Sequence, residues 1–191
     1  MSLAGTRKFK ENTVIPWNQK EIEEQQIVTD YIVNRLQDKT TNITVSKAET
    51  HQAGSLVHLR SMISGRMPST VNIGDIITTL HPTPAICGFP TKAAKAFILE
   101  EEHYDRTFYT GYLGELNMRE ETSRNRNRKN QENSAYRTVR TNSELFVNLR
   151  CMQLTYNKRI LYIGGGVTKD SDPELEWQET LAKSEIMKRV L

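Results

Sequence analysis

No stretch of this 191-residue chain approaches the ~20 consecutive apolar residues that a membrane-spanning helix needs. A membrane partner is therefore not expected. The first residues, MSLAGTRKFK, hold no apolar segment of the kind that marks a secretory leader, so nothing in them suggests export. Cysteine is scarce: Cys87 and Cys151 sit far apart without metal-ligand spacing and read as reduced thiols of a cytoplasmic protein. Charge of one sign is also nearly lacking. The formal net charge is only +3, and part of it comes from one local run, RNRNRK, which argues against nucleic acid as a partner. What remains is ordinary soluble composition, 37% hydrophobic and 26% charged, in a chain long enough for one domain or at most two.

Apolar spacing predicts an amphipathic helix over 18–38, with Ile22, Thr29, Ile32 and Leu36 on one stripe and Asn18 as its N-cap. NITVSKAET and GSLVHLRSMISGRM read as strands, and TVNIGDIITTL as a short helix running into HPTPAICGFP. The prolines and glycine of that segment predict an irregular loop of fixed shape. TKAAKAFILEEEHY reads as a helix capped by Thr91, and RTFYTGYLGELN as a strand. Residues 118–142 are nearly free of aliphatic side chains, which predicts a mobile hairpin loop; a nucleic-acid-binding arm is the rival reading. SELFVNLRCMQLTY is apolar on both faces, as a strand covered on both sides would be. KRILYIGGGVT is a further strand, followed by a helix from Pro173 to Leu191. Either Ser171 with Glu174, or Asp172 before Pro173, would cap that helix. Helices and strands mix without strict β-α-β alternation, so the expected class is α+β.

Four features could carry chemistry. Gly164, Gly165 and Gly166 lie between a strand and a helix, but six residues separate Gly166 from Pro173 and the spacing matches no dinucleotide or P-loop pattern. Their unobstructed N–H groups suit a carboxylate or a phosphate; a turn needing positive φ explains them equally well. Glu176, Glu179 and Lys183 share a helix face. A solvated Glu179–Lys183 pair worth about 0.3–0.5 kcal/mol is one reading, and a metal or substrate site the other. Arg150 stands on one face of a strand with Phe146, Asn148 and Met152. If it is buried it needs a carboxylate, from the protein or from an acidic ligand held bidentately. A Cys87–His81 nucleophilic pair is weak, because no third orienting residue can be named.

Taken together, AGTR near the start, KEIEEQQIV, LHPTPAICGFP, FYTGYLGEL, LFVNLRCMQL and LYIGGGVTKDSDPELEWQETLAK resemble the chorismate-binding enzymes, in their isochorismate-forming branch. The order holds over almost the whole chain apart from 118–142. The resemblance implies part of a four-layer α-β-β-α fold. It also implies a Mg²⁺-dependent isomerase that adds water at C2 of chorismate while the C4 hydroxyl leaves, for menaquinone or siderophore biosynthesis. Glu24 and Glu179 would be metal-binding carboxylates, with Glu176 contributing through water. Arg150, Gly164, Gly165, Gly166 and Lys183 would hold substrate carboxylates, while Gly5, Thr6, His81, Thr83 and Ala85 would line the pocket. Arginine, lysine, glycine N–H groups and a metal suit a dianionic substrate.

Two departures from the family pattern carry consequences. The family's Glu-His is here Glu24-Gln25, which keeps the carboxylate and loses an imidazole. The lysine base and glutamic acid of the family also lie upstream of AGTR. Residues 4–191 are accordingly expected to be the C-terminal part of one chorismate-binding domain, with 1–3 an expression scar. Such a piece would be inactive alone and prone to form homo-oligomers through exposed apolar surface. Salicylate synthase is the alternative within the family, and a non-catalytic binding module the alternative outside it.

Overall fold

The computed structural model describes residues 1–9, 11, 15–54, 56–122 and 138–191, apart from the side chain of Lys8. They form two compact units, Met1–His103 and Tyr104–Leu191. Both mix helices and strands, and the class is α+β.

In the first unit, β1 (Ser2–Lys8), β4 (Leu56–Ser61) and β3 (Glu49–Ala53) make an antiparallel sheet in the order β1-β4-β3. The central strand β4 is buried almost throughout, as its position demands. A second, two-stranded sheet pairs β2 (Thr41–Val45) with β5 (Ile63–Arg66). The two stretches predicted as single strands are thus each divided in two. Helix α1 (Gln19–Leu36) packs on β1 and β4. At its start Glu21 accepts the Asn18 N–H at 2.9 Å and the Arg7 Nε–H at 2.8 Å, so one carboxylate closes the helix and ties it to β1.

The inner face of α1 corrects the expected stripe. Ile22 is exposed, while Gln25, Val28, Thr29 and Ile32 are buried. Gln25 Nε2 lies 2.7 Å from Ser61 Oγ, 2.9 Å from Thr29 Oγ1 and 3.2 Å from Ser2 Oγ. The Ser2 and Thr29 hydroxyls are 2.7 Å apart. A buried amide costs little when its donors are answered, which is why a glutamine can occupy a core position here. Ser2 and Leu3, read as a scar, are paired with β4.

β1 shifts register between Ala4 and Arg7, at Gly5, whose φ is +68°. A Cβ there would stand 3.0 Å from Glu21 Cβ and 3.4 Å from the Trp17 ring, so both the backbone and the packing call for glycine. Helices α2 (Ile73–Leu80), α3 (Pro84–Cys87) and α4 (Thr91–Glu101) follow. HPTPAICGFP is therefore not wholly irregular. Pro84 at the first helical position starts a single turn, and the Gly88 N–H closes it on the Pro84 carbonyl at 2.8 Å. Thr91 is the first residue of α4, and Pro90 holds the cap position assigned to it.

The second unit holds two antiparallel pairs, β6 (Tyr112–Thr122) with β7 (Thr138–Val147) and β8 (Cys151–Leu154) with β9 (Arg159–Tyr162), and helix α5 (Pro173–Lys188). Composition misplaced the edges of the 118–142 loop. Residues 118–122 are paired with 138–142, because polar side chains are no obstacle to a ladder whose faces meet water. Residues 123–137 lie outside the described part. The strand expected over 143–156 is broken at 148–150, where Asn148 turns its backbone and side chain to the 108–111 turn. Its N–H reaches the Gly111 carbonyl at 2.7 Å, and its Nδ2 reaches the Phe108 carbonyl at 3.0 Å. Coverage on both faces is not found: Phe146 and Leu149 are exposed.

Candidate anion and metal site

Helix α5 begins where its polar residues can answer the free N–H groups of its first turn. Asp172 Oδ1 accepts the Leu175 N–H at 2.9 Å, and Pro173 follows with no N–H to satisfy. Of the two candidate caps, Asp172 holds the position. Ser171 serves otherwise: its Oγ donates to Glu176 Oε1 at 2.5 Å and accepts the Thr168 N–H at 3.0 Å. Glu176 is thereby fixed to the loop ahead of the helix, and its Oε2 is 3.6 Å from where a Cβ on Gly165 would stand.

Two turns further along, Lys183 Nζ lies 2.6 Å from Glu179 Oε1 and 3.1 Å from the Gly164 carbonyl oxygen. The i, i+4 pair read from spacing exists, and its two ends differ: Lys183 is only 8% exposed, while the Glu179 side chain keeps 39% of its surface open to solvent. An ammonium so buried must donate to acceptors nearby, and it spans from α5 to the glycine segment to do so. The glycines themselves do not take the positive φ that a tight turn would need. Among the described glycines that conformation belongs to Gly5, Gly54, Gly88 and Gly114. What the segment requires at Gly164 is room: a Cβ there would fall 2.6 Å from the Tyr109 hydroxyl. Tyr109 is buried and stacked on Tyr162, with ring centroids 5.6 Å apart.

Arg150 sits in the break between β7 and β8 with φ +50°, not within a strand as its spacing suggested. Burial pushes its guanidinium below the usual arginine value, and the negative charge of Glu179 opposes that shift. Glu179 is thus a carboxylate within electrostatic reach of Arg150. Lys183 joins Glu179 to the Gly164 carbonyl, and Gly164 and Gly165 adjoin Tyr109 and Glu176. Tyr109 escaped notice in the sequence, where only its place in FYTGYLGEL marked it.

The other predicted residues belong to the first unit. Thr6 Oγ1 and the Gly5 carbonyl both lie against His58 Nδ1, at 3.2 and 2.9 Å, and His58 is buried, so these two residues are engaged within the sheet. Glu24 is half-buried on α1. His81 ends α2 and lines a cavity of about 370 Å³ with Tyr31, Arg35, Lys39, Thr78 and Pro82. Desolvation lowers its pKa from 6.5, and the nearby Lys95 adds to the shift. Thr83 precedes α3 and Ala85 lies within it; neither lines that cavity.

No group of three or more His, Cys, Asp or Glu side chains suited to a metal ion occurs among the described residues. That count does not disqualify Mg²⁺, which commonly takes one or two protein carboxylates and fills its shell with water and substrate oxygens. Glu179 and Glu176, hard oxygen donors on adjacent turns of α5, fit that requirement. Among the described residues no helix is long and apolar enough to cross a membrane.

A mixed α/β unit that sets two cations and two carboxylates beside a glycine segment is equipped to grip an acidic small molecule. The model of the family described as "Chorismate binding enzyme" matches residues 11–123 and 136–191, and the chain belongs to that family. Isochorismate synthase DhbC of Bacillus subtilis is 30% identical over 174 residues, covering 90% of this chain and 38% of that protein. Isochorismate synthase EntC of Escherichia coli K12 is 29% identical over 174 residues, covering 91% and 39%. Among solved structures, DhbC of Bacillus anthracis superposes with a TM-score of 0.78 at 26% identity, over 98% of this chain and 47% of that one. MenF, the menaquinone-specific isochorismate synthase of Escherichia coli, gives 0.75 at 26%, over 98% and 40%. The chain thus spans about two fifths of the curated relatives it matches.

Proposed function

We propose that this chain forms the carboxylate-binding and metal-binding side of an isochorismate synthase, an isomerase that converts chorismate to isochorismate with Mg²⁺. The observation that carries the reading is the Arg150–Glu179–Lys183 cluster beside Gly164, set in a chain that matches isochorismate synthases over most of its length. Arg150 and Lys183 would hold a carboxylate of chorismate, a dianion whose charge they balance. The N–H groups of Gly164–Gly166 would donate to it without side-chain obstruction. By the family resemblance alone, Glu179 and Glu24 would be the carboxylates that hold Mg²⁺, with Glu176 acting through water. The ion, when bound, supplies charge neutralisation at the substrate carboxylate and orients the ring. His81, Thr83, Ala85, Gly5 and Thr6 would contribute pocket walls.

The general base and general acid of the reaction are assigned to polypeptide other than these 191 residues, in keeping with the two-fifths coverage of the relatives. The chain alone is then expected to bind chorismate without turning it over. The test is calorimetric titration of chorismate into the chain with MgCl₂, paired with chromatography of the incubated mixture. Binding that is lost in Arg150→Ala supports the reading; no binding in the presence of Mg²⁺ refutes it. Isochorismate formed by the isolated chain would refute the assignment of acid and base, and salicylate would point to the salicylate synthase alternative.

A further inference from the structure

We propose that Glu179 is an internal stand-in for the substrate carboxylate. In the ligand-free chain it occupies the cations of the anion site, and it turns to Mg²⁺ when a ligand carboxylate replaces it, so anion and metal binding are coupled through Lys183. The inference rests on the proposed function and adds to it the way the two ligands communicate.

The geometry gives three reasons. Lys183 is buried and its ammonium is anchored at 2.6 Å to Glu179 and at 3.1 Å to the Gly164 carbonyl. An ammonium has three donors, so a ligand carboxylate can take the place of Glu179 on Lys183 without loss of the Gly164 anchor. Glu179 also lies in the field of Arg150, so its charge acts on both cations. A divalent cation approaching Glu179 is opposed by the positive charge of Lys183, 2.6 Å away, and by that of Arg150. A ligand carboxylate arriving at Lys183 and Arg150 removes that opposition and frees Glu179 to face the metal. Linkage makes the effect reciprocal: metal bound at Glu179 must tighten the carboxylate ligand by the same factor. Lys183 acts here as a positioning residue that decides which partner Glu179 takes.

The decisive variant is Glu179→Gln, measured in EDTA with chorismate as the probe. If Glu179 competes with the ligand for Lys183 and Arg150, neutralising it tightens chorismate binding by about fivefold or more, the lower end of ordinary coupling between sites. If Glu179 served only as a metal ligand, the metal-free affinity would not change, and that result overturns the proposal. A second measurement follows Mg²⁺ binding by calorimetry at constant ionic strength, with and without chorismate. Coupling of at least about fivefold is expected in the parent chain, and its loss in Lys183→Met, where Mg²⁺ alone should bind tighter than in the parent. Lys183→Gln, which keeps a donor for Gly164, replaces Lys183→Met if the latter fails to fold by circular dichroism. Chorismate and Mg²⁺ that both bind but ignore each other sink the coupling and leave the proposed function standing. Absence of chorismate binding under every condition removes both.

Discussion

Gly164→Ala tests how the glycine segment is held against its support. The added methyl carbon would fall 2.6 Å from Tyr109 Oη, and the next tyrosine atom, Cζ, stands at 3.8 Å. The first distance lies inside van der Waals contact, and the second is ordinary. Tyr109 is 8% exposed and stacked on Tyr162, so its ring cannot swing aside freely. Overpacking of this kind costs about 1–3 kcal/mol. Against it stands about 0.4–1 kcal/mol gained when alanine replaces a glycine at ordinary φ, through the less flexible unfolded chain. The clash wins, and the variant should be destabilised by roughly 0.5–2 kcal/mol. Tyr109→Phe removes the offending oxygen. In that background Gly164→Ala should be neutral or stabilising, leaving a coupling energy of about 1–3 kcal/mol between the two sites. Urea denaturation followed by the fluorescence of Trp177, in the same unit, gives all four corners of the cycle. Equal effects of Gly164→Ala in both backgrounds would refute the argument that Tyr109 is what excludes a side chain there.

Two further predictions concern pH and the exposed face. His81 has its pKa lowered in the folded chain, so the unfolded chain binds the proton more readily; the stability it contributes is present above about pH 6.5 and is lost as pH falls through the lower folded value. Melting temperatures between pH 7.5 and 5 should therefore fall more steeply in the parent chain than in His81→Asn, and parallel curves would remove His81 as the cause. Leu113 and Phe146 face each other across the β6–β7 ladder and are 65% and 59% exposed, and Leu154 on β8 is 62% exposed. The isolated chain should bind a hydrophobic dye or self-associate in sedimentation, both effects being reduced by Leu113→Glu with Phe146→Lys; a monomer that ignores the dye would show that this surface is not adhesive.

Local structure and depth of burial differ in how far the amino-acid sequence alone reaches. Helices α1, α2, α4 and α5 follow from apolar spacing, and the caps Asn18 and Asp172 from local chemistry, whereas Thr91 proves to be the first residue of α4 and not its cap. The Glu179–Lys183 pair follows from the same i, i+4 rule. What spacing does not carry is depth. Nothing local distinguishes Ile22 from Gln25, yet the isoleucine is exposed and the glutamine buried, because Ser2 and Ser61 arrive from distant segments to meet its amide. Lys183 makes the same point at the site. The lysine of a helix-surface ion pair is buried where Gly164, 19 residues earlier, presents its carbonyl to the ammonium. Arg150 was misplaced for a related reason: alternation assigns a side to each strand residue but gives no warning that Asn148 bonds to the 108–111 turn and breaks the strand before it. In each case the missing term is a hydrogen bond to a remote backbone or hydroxyl group, and buried polar atoms are where such bonds decide the outcome. That is also why the cluster on α5 reads as an anion site only in three dimensions. One carboxylate shared between a buried lysine and a desolvated arginine has no counterpart in the order of the residues.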